Sequence, residues 1–257
     1  MLLRSNTNLQ STSVQRVHFQ ITTNSIAIHA KSDPLTAAVR LQSTIESWSP
    51  LNGGNDSIET KNGLPNVDFD NRAQLADLEN NLAIALSQTD RPEFALQVAR
   101  SAVDFWQNAF QTFPNHRRTS MGFATALNTL GEVNWRLNQH NQCDRCFEQA
   151  IDILQQVTSN QPNSAEANSR LATTWHNRGL VAFQANQFDE ARDHIKRALH
   201  FQQISRNLAP NHAEYQTRLI AHQEVMKWLA SHDDLANIDT ELPFQATSLT
   251  QDDTTHF

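Results

Sequence analysis

The sequence predicts an all-α fold, an α-solenoid of antiparallel helical hairpins with a short irregular or β-hairpin N-terminal segment. Three observations predict it. Side-chain types recur every 48 residues: Pro114-Asn115, Pro162-Asn163 and Pro210-Asn211 keep that interval twice. Within each period, apolar residues fall at helical spacing. Turn material is scarce, with 6 Gly and 8 Pro in 257 residues, against about 12% in an average chain. A many-stranded β-sandwich or barrel needs more.

Independent columns share the register. Leu75, Phe123, Leu171 and Leu219 form one; Ala76, Ala124, Ala172 and Ile220 follow it. Ala83, Gly131 and Gly179 form a small column, Ala95, Cys143 and Ala191 a second, and Ala102, Ala150 and Ala198 a third. Arg170 matches Arg218. Stacked units that bury one another produce such columns.

Residues 1–32 hold alternating Val17, Phe19 and Ile21, then Ile26 and Ile28 across Thr22-Thr23-Asn24-Ser25, a hairpin pattern over 14–30. Residues 33–50 read as a lone helix, capped by Asp33 with Pro34 in its first turn and Ala37, Ala38, Leu41 and Ile45 on one face. This is the second helix of a partial leading repeat. Residues 51–70, with Gly53, Gly54, Gly63 and Pro65, read as a linker.

The array spans 71–230 as units 71–115, 116–163 and 164–211 and a capping helix 212–230. In the third unit Asn163-Ser164 caps a first helix through Leu171, Trp175, Gly179 and Phe183. Ala185-Asn186-Gln187 is a break, and a second helix runs from about Phe188 to Leu208 until Pro210 ends it. Asp90 and Pro92 open the corresponding helix of the first unit. The small columns let paired helices approach to about 8–10 Å. Mid-helix glycine costs about 1 kcal/mol against alanine, so Gly131 and Gly179 at equivalent places indicate a packing need. Residues 231–257 are an acidic tail, expected to be disordered.

Composition excludes several functions. The net charge of -7 sits almost wholly in the tail, because no Lys or Arg follows Lys227. The near-neutral remainder argues against nucleic acid as a partner. No apolar stretch reaches the roughly 18 residues of a membrane span, and the start lacks a signal-peptide apolar region, so the expected location is cytoplasmic. Two cysteines make no disulfide framework. Phosphate-cradling, nucleophile-elbow and H-E-x-x-H motifs are absent. An enzyme and a cofactor are therefore not expected.

The spacing Gly179, Ala191, Ile195, Ala198, repeated by Gly131, Cys143, Phe147, Ala150 and by Ala83, Ala95, Ala99, Ala102, resembles the tetratricopeptide repeat. Phe188 takes the family's aromatic place where the other units have Pro92 and His140. The family unit is about 34 residues; the extra length fits as about two turns on each helix. The resemblance covers about residues 71–230. It implies a superhelix and a non-catalytic protein–protein interaction scaffold, binding a peptide or partner segment in a concave groove lined by first helices. It also admits a regulatory or sensor module associated with, or derived from, a bacterial serine/threonine-kinase-type protein.

The groove stripe implied by the resemblance holds Asn80, Asn128 and His176, with Asn81, Thr129 and Asn177 beside them and Trp135 and Arg136 at the end of the first helix. Amides donate and accept, which suits an extended backbone; the bland alternative is that they solvate a concave face. The stripe lacks the lysines of carboxylate-clamp relatives. Arg117-Arg118 reads as a solvated loop pair and Trp175 as core. His140, Cys143 and Cys146 offer a metal or redox alternative with a Zn²⁺ ligand set one short of four. Against it, Cys143 fills a column held by alanine in the sister units. Neither the partner nor the oligomeric state is legible.

Overall fold

The computed structural model describes residues 67–89 and 92–231, with the short pieces 36, 39–40, 42–43, 60–61 and 64–65. The expected hairpin over 14–30 and the tail from 232 lie outside the described residues. Within 33–50, Thr36, Val39, Arg40, Gln42 and Ser43 are helical.

Seven helices with defined bounds follow a small antiparallel pair. In that pair β1 (Thr60–Lys61) meets β2 (Leu64–Pro65), with Thr60 opposite Pro65. The helices are α1 (Val67–Ser87), α2 (Pro92–Thr112), α3 (Arg117–Arg136), α4 (His140–Asn160), α5 (Ala165–Gln184), α6 (Phe188–Leu208) and α7 (Ala213–Ser231). The fold is all-α. The segment 51–70 is not purely a linker: it contains the β1–β2 pair, and α1 begins inside it at Val67. α2, α4 and α6 start at Pro92, His140 and Phe188, and α3 and α5 at Arg117 and Ala165.

The chain forms two compact units, residues 1–102 and 103–257. In the first, Phe69, Ala73, Ala76, Leu82, Ala83 and Leu86 of α1 are buried, as are Ala95, Ala99 and Ala102 of α2. Ser101 donates to Glu79 at 2.9 Å.

In the second unit successive helices stack: α3 on α4, α4 on α5, α5 on α6, α6 on α7, with α3 also meeting α5. A Cβ on Gly131 would meet the Phe147 ring, and one on Gly179 would meet the Ile195 side chain. The small column is therefore a close-approach device in both hairpins. The last hairpin closes through Leu180, Phe183, Ala191, Ile195, Val225 and Leu229, with Trp228 packed against them.

The α3–α4 and α5–α6 turns are Schellman motifs with asparagine in the left-handed position, Asn138 at φ 57 and Asn186 at φ 60. The N–H groups of Gln139 and Gln187 reach back to the carbonyls of Asn134 and Ala182 at 2.8 and 2.9 Å. Asn138 and Asn186 donate to the carbonyls of Trp135 and Phe183 at 2.9 Å each. The turns between hairpins also repeat. Ser120 and Asn168 donate to the carbonyls of Pro114 and Pro162 at 3.4 and 3.3 Å. Ser164 caps α5, accepting from the Ala167 N–H at 3.2 Å.

A buried arginine ties α5 to α3, and another ties α7 to α5. Arg170 of α5 donates to Thr125 of α3 and pairs with Glu166 at 2.9 Å. Arg218 of α7 donates to Thr173 of α5 at 3.1 Å and pairs with Glu214. These residues occupy matching columns, since Thr125 and Glu166 stand 48 positions before Thr173 and Glu214. Among the described residues, no helix is long and apolar enough to cross a membrane.

Candidate functional site

The C-terminal parts of α3 and α5 and Phe147 of α4 line a cleft in the second unit. Its lining is Glu132, Trp135, Arg136, Phe147, Asn177, Leu180 and Val181. Gly131 keeps α3 close to α4 and sets Phe147 beneath it. The stacking of α3 and α5 brings Glu132 to Asn177.

Glu132 organises the polar wall. Its Oε1 accepts from Asn128 Nδ2 and from Asn177 Nδ2, each at 2.7 Å. Asn177 Nδ2 also lies 3.3 Å from Asn128 Oδ1. Burial pushes the Glu132 carboxyl up to about 7, against the opposing pull of Arg136 and of the two amides. The Arg136 guanidinium stands 6.0 Å from the Trp135 ring centroid.

The sequence-predicted stripe is distributed differently from an open row of amides. Trp135, Arg136 and Asn177 line the cleft. Asn80, Asn128, Thr129, His176 and Asn177 are all buried, none more than 6% exposed. Asn128 and Asn177 direct their amides at Glu132. His176 faces His222 of α7, with Nδ1 atoms 2.9 Å apart and ring centroids 4.6 Å apart. Burial holds His176 down at about 4, and burial with His176 and Arg218 nearby holds His222 well below the usual range. Asn80 and the half-buried Asn81 belong to the first unit. Among the described residues neither side-chain atom of Asn80 finds a hydrogen-bond partner. The resemblance implies that these side chains face a ligand; stacking turns most of that stripe into an interface between helices.

Sequence reasoning missed Glu132. The signal was there: Glu132 follows Asn128 by one helical turn, and Asn177 is 49 positions after Asn128, beside the register mate His176.

Cys143 is fully buried and Cys146 partly so. Burial, with Cys146 and Asp144 beside it, pushes the Cys143 thiol up to about 12, which disfavours the thiolate a metal or redox site needs. Asn134 donates to Cys146 Sγ at 3.8 Å. His140 is exposed at the start of α4. Among the described residues no group of three or more His, Cys, Asp or Glu is arranged to hold a metal ion. Arg117 bonds Ser164 and Glu166, and Arg118 lies 5.2 Å from the Trp106 ring centroid. The basic pair is thus tied to neighbouring helices rather than only solvated. Trp175 is core, 5% exposed, with Arg197 over its ring at 4.8 Å.

No curated protein matches the sequence. Two solved structures resemble the chain over most of its length. One is BtubC (BKLC) from P. vanneervenii, at 12% identity over 91% of this chain and 96% of that chain, TM-score 0.31. The other is MamA AMB-1, at 16% identity over 88% and 96%, TM-score 0.30. The tetratricopeptide repeat family model matches residues 122–204. That stretch holds most of α3, all of α4 and α5, most of α6 and every residue of the cleft. Residues 122–204 are thus the stretch of the chain that matches the tetratricopeptide repeat family.

Proposed function

We propose that the chain is a non-catalytic protein–protein interaction scaffold that takes a partner segment in the cleft between α3 and α5. The carrying observation is the cleft lining: Trp135, Phe147, Leu180 and Val181 beside Glu132, Asn177 and Arg136. Small, mostly apolar sites with a few convergent polar groups are how proteins hold side chains of partners. Aromatic and arginine residues supply most interface energy when they are desolvated. Trp135 presents the aromatic face of the cleft, Arg136 stands exposed at its edge, and Asn177 acts from the cleft wall. Asn128 and His176 act behind the surface, and Asn80, Asn81 and Thr129 stand outside the cleft lining.

The test is selection of binders from a random peptide library, followed by titration against wild type and Val181→Arg. Val181 is partly exposed in the cleft, so an arginine there obstructs it with little effect on folding. Selected peptides should lose at least tenfold in affinity. Unchanged affinity for every selected peptide would refute the cleft as the binding site.

A further inference from the structure

Glu132 gives the cleft a chemical preference. Both amide donors, Asn128 Nδ2 and Asn177 Nδ2, converge on Oε1. Oε2 receives no hydrogen bond among the described residues, and it is not one of the fully enclosed polar atoms. No described cation lies within ion-pair distance of this carboxylate; the nearby guanidinium of Arg136 acts on it only at longer range. The two amides leave Glu132 little freedom to turn away, so Oε2 is an acceptor fixed at the cleft wall. Trp135, partly exposed in the lining, offers the aromatic surface that favours an organic cation.

We infer that Glu132 selects a basic side chain of the partner: the cleft seats a lysine or arginine head against Oε2, its aliphatic stem along Leu180 and Val181. This rests on the cleft being the binding surface. The lining carries one carboxylate and one guanidinium, and the carboxylate is the deeper of the two while Arg136 is exposed. A buried carboxylate that holds its proton up to about neutral pH is one whose charge lacks a close counter-ion. A partner's ammonium or guanidinium supplies it. An acidic side chain would meet Glu132, and a purely apolar one would leave Oε2 without a partner.

Arg136 makes the inference testable in a way a structural role for Glu132 does not share. Arg136 repels an incoming cation, so removing it should strengthen binding of basic peptides while removing Glu132 weakens it. The experiment titrates library-selected peptides, and copies with each Lys or Arg replaced by norleucine, against wild type, Glu132→Gln, Arg136→Ala and Val181→Arg at pH 8. Circular dichroism melts verify that each variant is folded, and Glu132→Asp serves as a second variant should Glu132→Gln not fold. The expected result is enrichment of Lys or Arg among the binders. Affinity should fall about tenfold or more for Glu132→Gln, and equally for one norleucine copy, while Arg136→Ala binds a few-fold tighter. Peptides that lose affinity on Val181→Arg yet bind Glu132→Gln as well as wild type would overturn this inference and leave the cleft reading standing. Peptides insensitive to Val181→Arg would sink both.

Discussion

A Cβ added to Gly131 would stand 2.7 Å from Cε1 of Phe147, and one added to Gly179 would stand 2.8 Å from Cδ1 of Ile195. The two glycines and the two partners are each 48 positions apart. In the first unit the same columns hold Ala83 and Ala99, both fully buried. There the small column gains a methyl where the large column loses its ring. The exchange is what a fixed helix separation requires of close-packed interiors.

Gly131→Ala should therefore destabilise the protein by about 1–3 kcal/mol despite alanine's better helix propensity. Phe147→Ala should cost about 3–5 kcal/mol through the cavity it leaves. The double variant should cost clearly less than the sum of the two. Urea denaturation in a double-mutant cycle measures the coupling; strict additivity would show that the two residues do not share this space.

Arg218 is 2% exposed and reaches Thr173 and Ser169 on the preceding first helix. Arg218→Ala should cost about 3 kcal/mol, because it opens a void and strips donors from buried hydroxyls. Exposed Lys196→Ala should stay within about 0.5 kcal/mol. Comparable losses from the two would remove the clamp from the account.

Glu132 and His176 bias stability in opposite directions along the pH axis. His176 is neutral in the fold down to about 4, while the unfolded imidazole takes a proton below 6.5. Stability is thus lost as pH falls from 6.5 toward 4. Glu132 holds its proton to about 7 in the fold, while the unfolded carboxyl releases it above 4.5. Stability is thus lost as pH rises from 4.5 through 7. Glu132→Gln abolishes the second loss. The variant's stability advantage over wild type should grow from pH 4.5 to pH 8 by on the order of 2 kcal/mol. An advantage that does not change with pH would contradict the environment described for Glu132.

Asn186 sits at φ 60 in its hairpin turn. Asn186→Ala should cost about 1 kcal/mol, whereas Asn186→Gly should be neutral or slightly stabilising. Thermal melts of the pair test this; equal effects would mean that the left-handed backbone is not what asparagine provides there.

The helix pairs were legible because they depend on short-range signals: the proline after each second helix, the Ser164 cap, and the small columns. The Schellman turns were half-legible, since Ala185-Asn186-Gln187 reads as a break without disclosing its hydrogen bonds. The site was less so. A helical stripe says which residues share a face, not whether the next helix covers it. Asn128 and His176 were therefore read as exposed, although α5 and α7 bury them. Glu132 went unseen because its role arises only when Asn128 and Asn177 converge on it from two helices. Cys143 was readable as core because alanine replaces it in both sister columns.

Hydrogen–deuterium exchange with and without a library-selected peptide tests the central claim most directly. If the cleft is the partner surface, bound peptide should slow amide exchange around 132–136 and 177–181, and the protection should vanish in Val181→Arg. Protection confined to the outer faces of α4 and α6, with residues 132–136 and 177–181 unaffected, would contradict it.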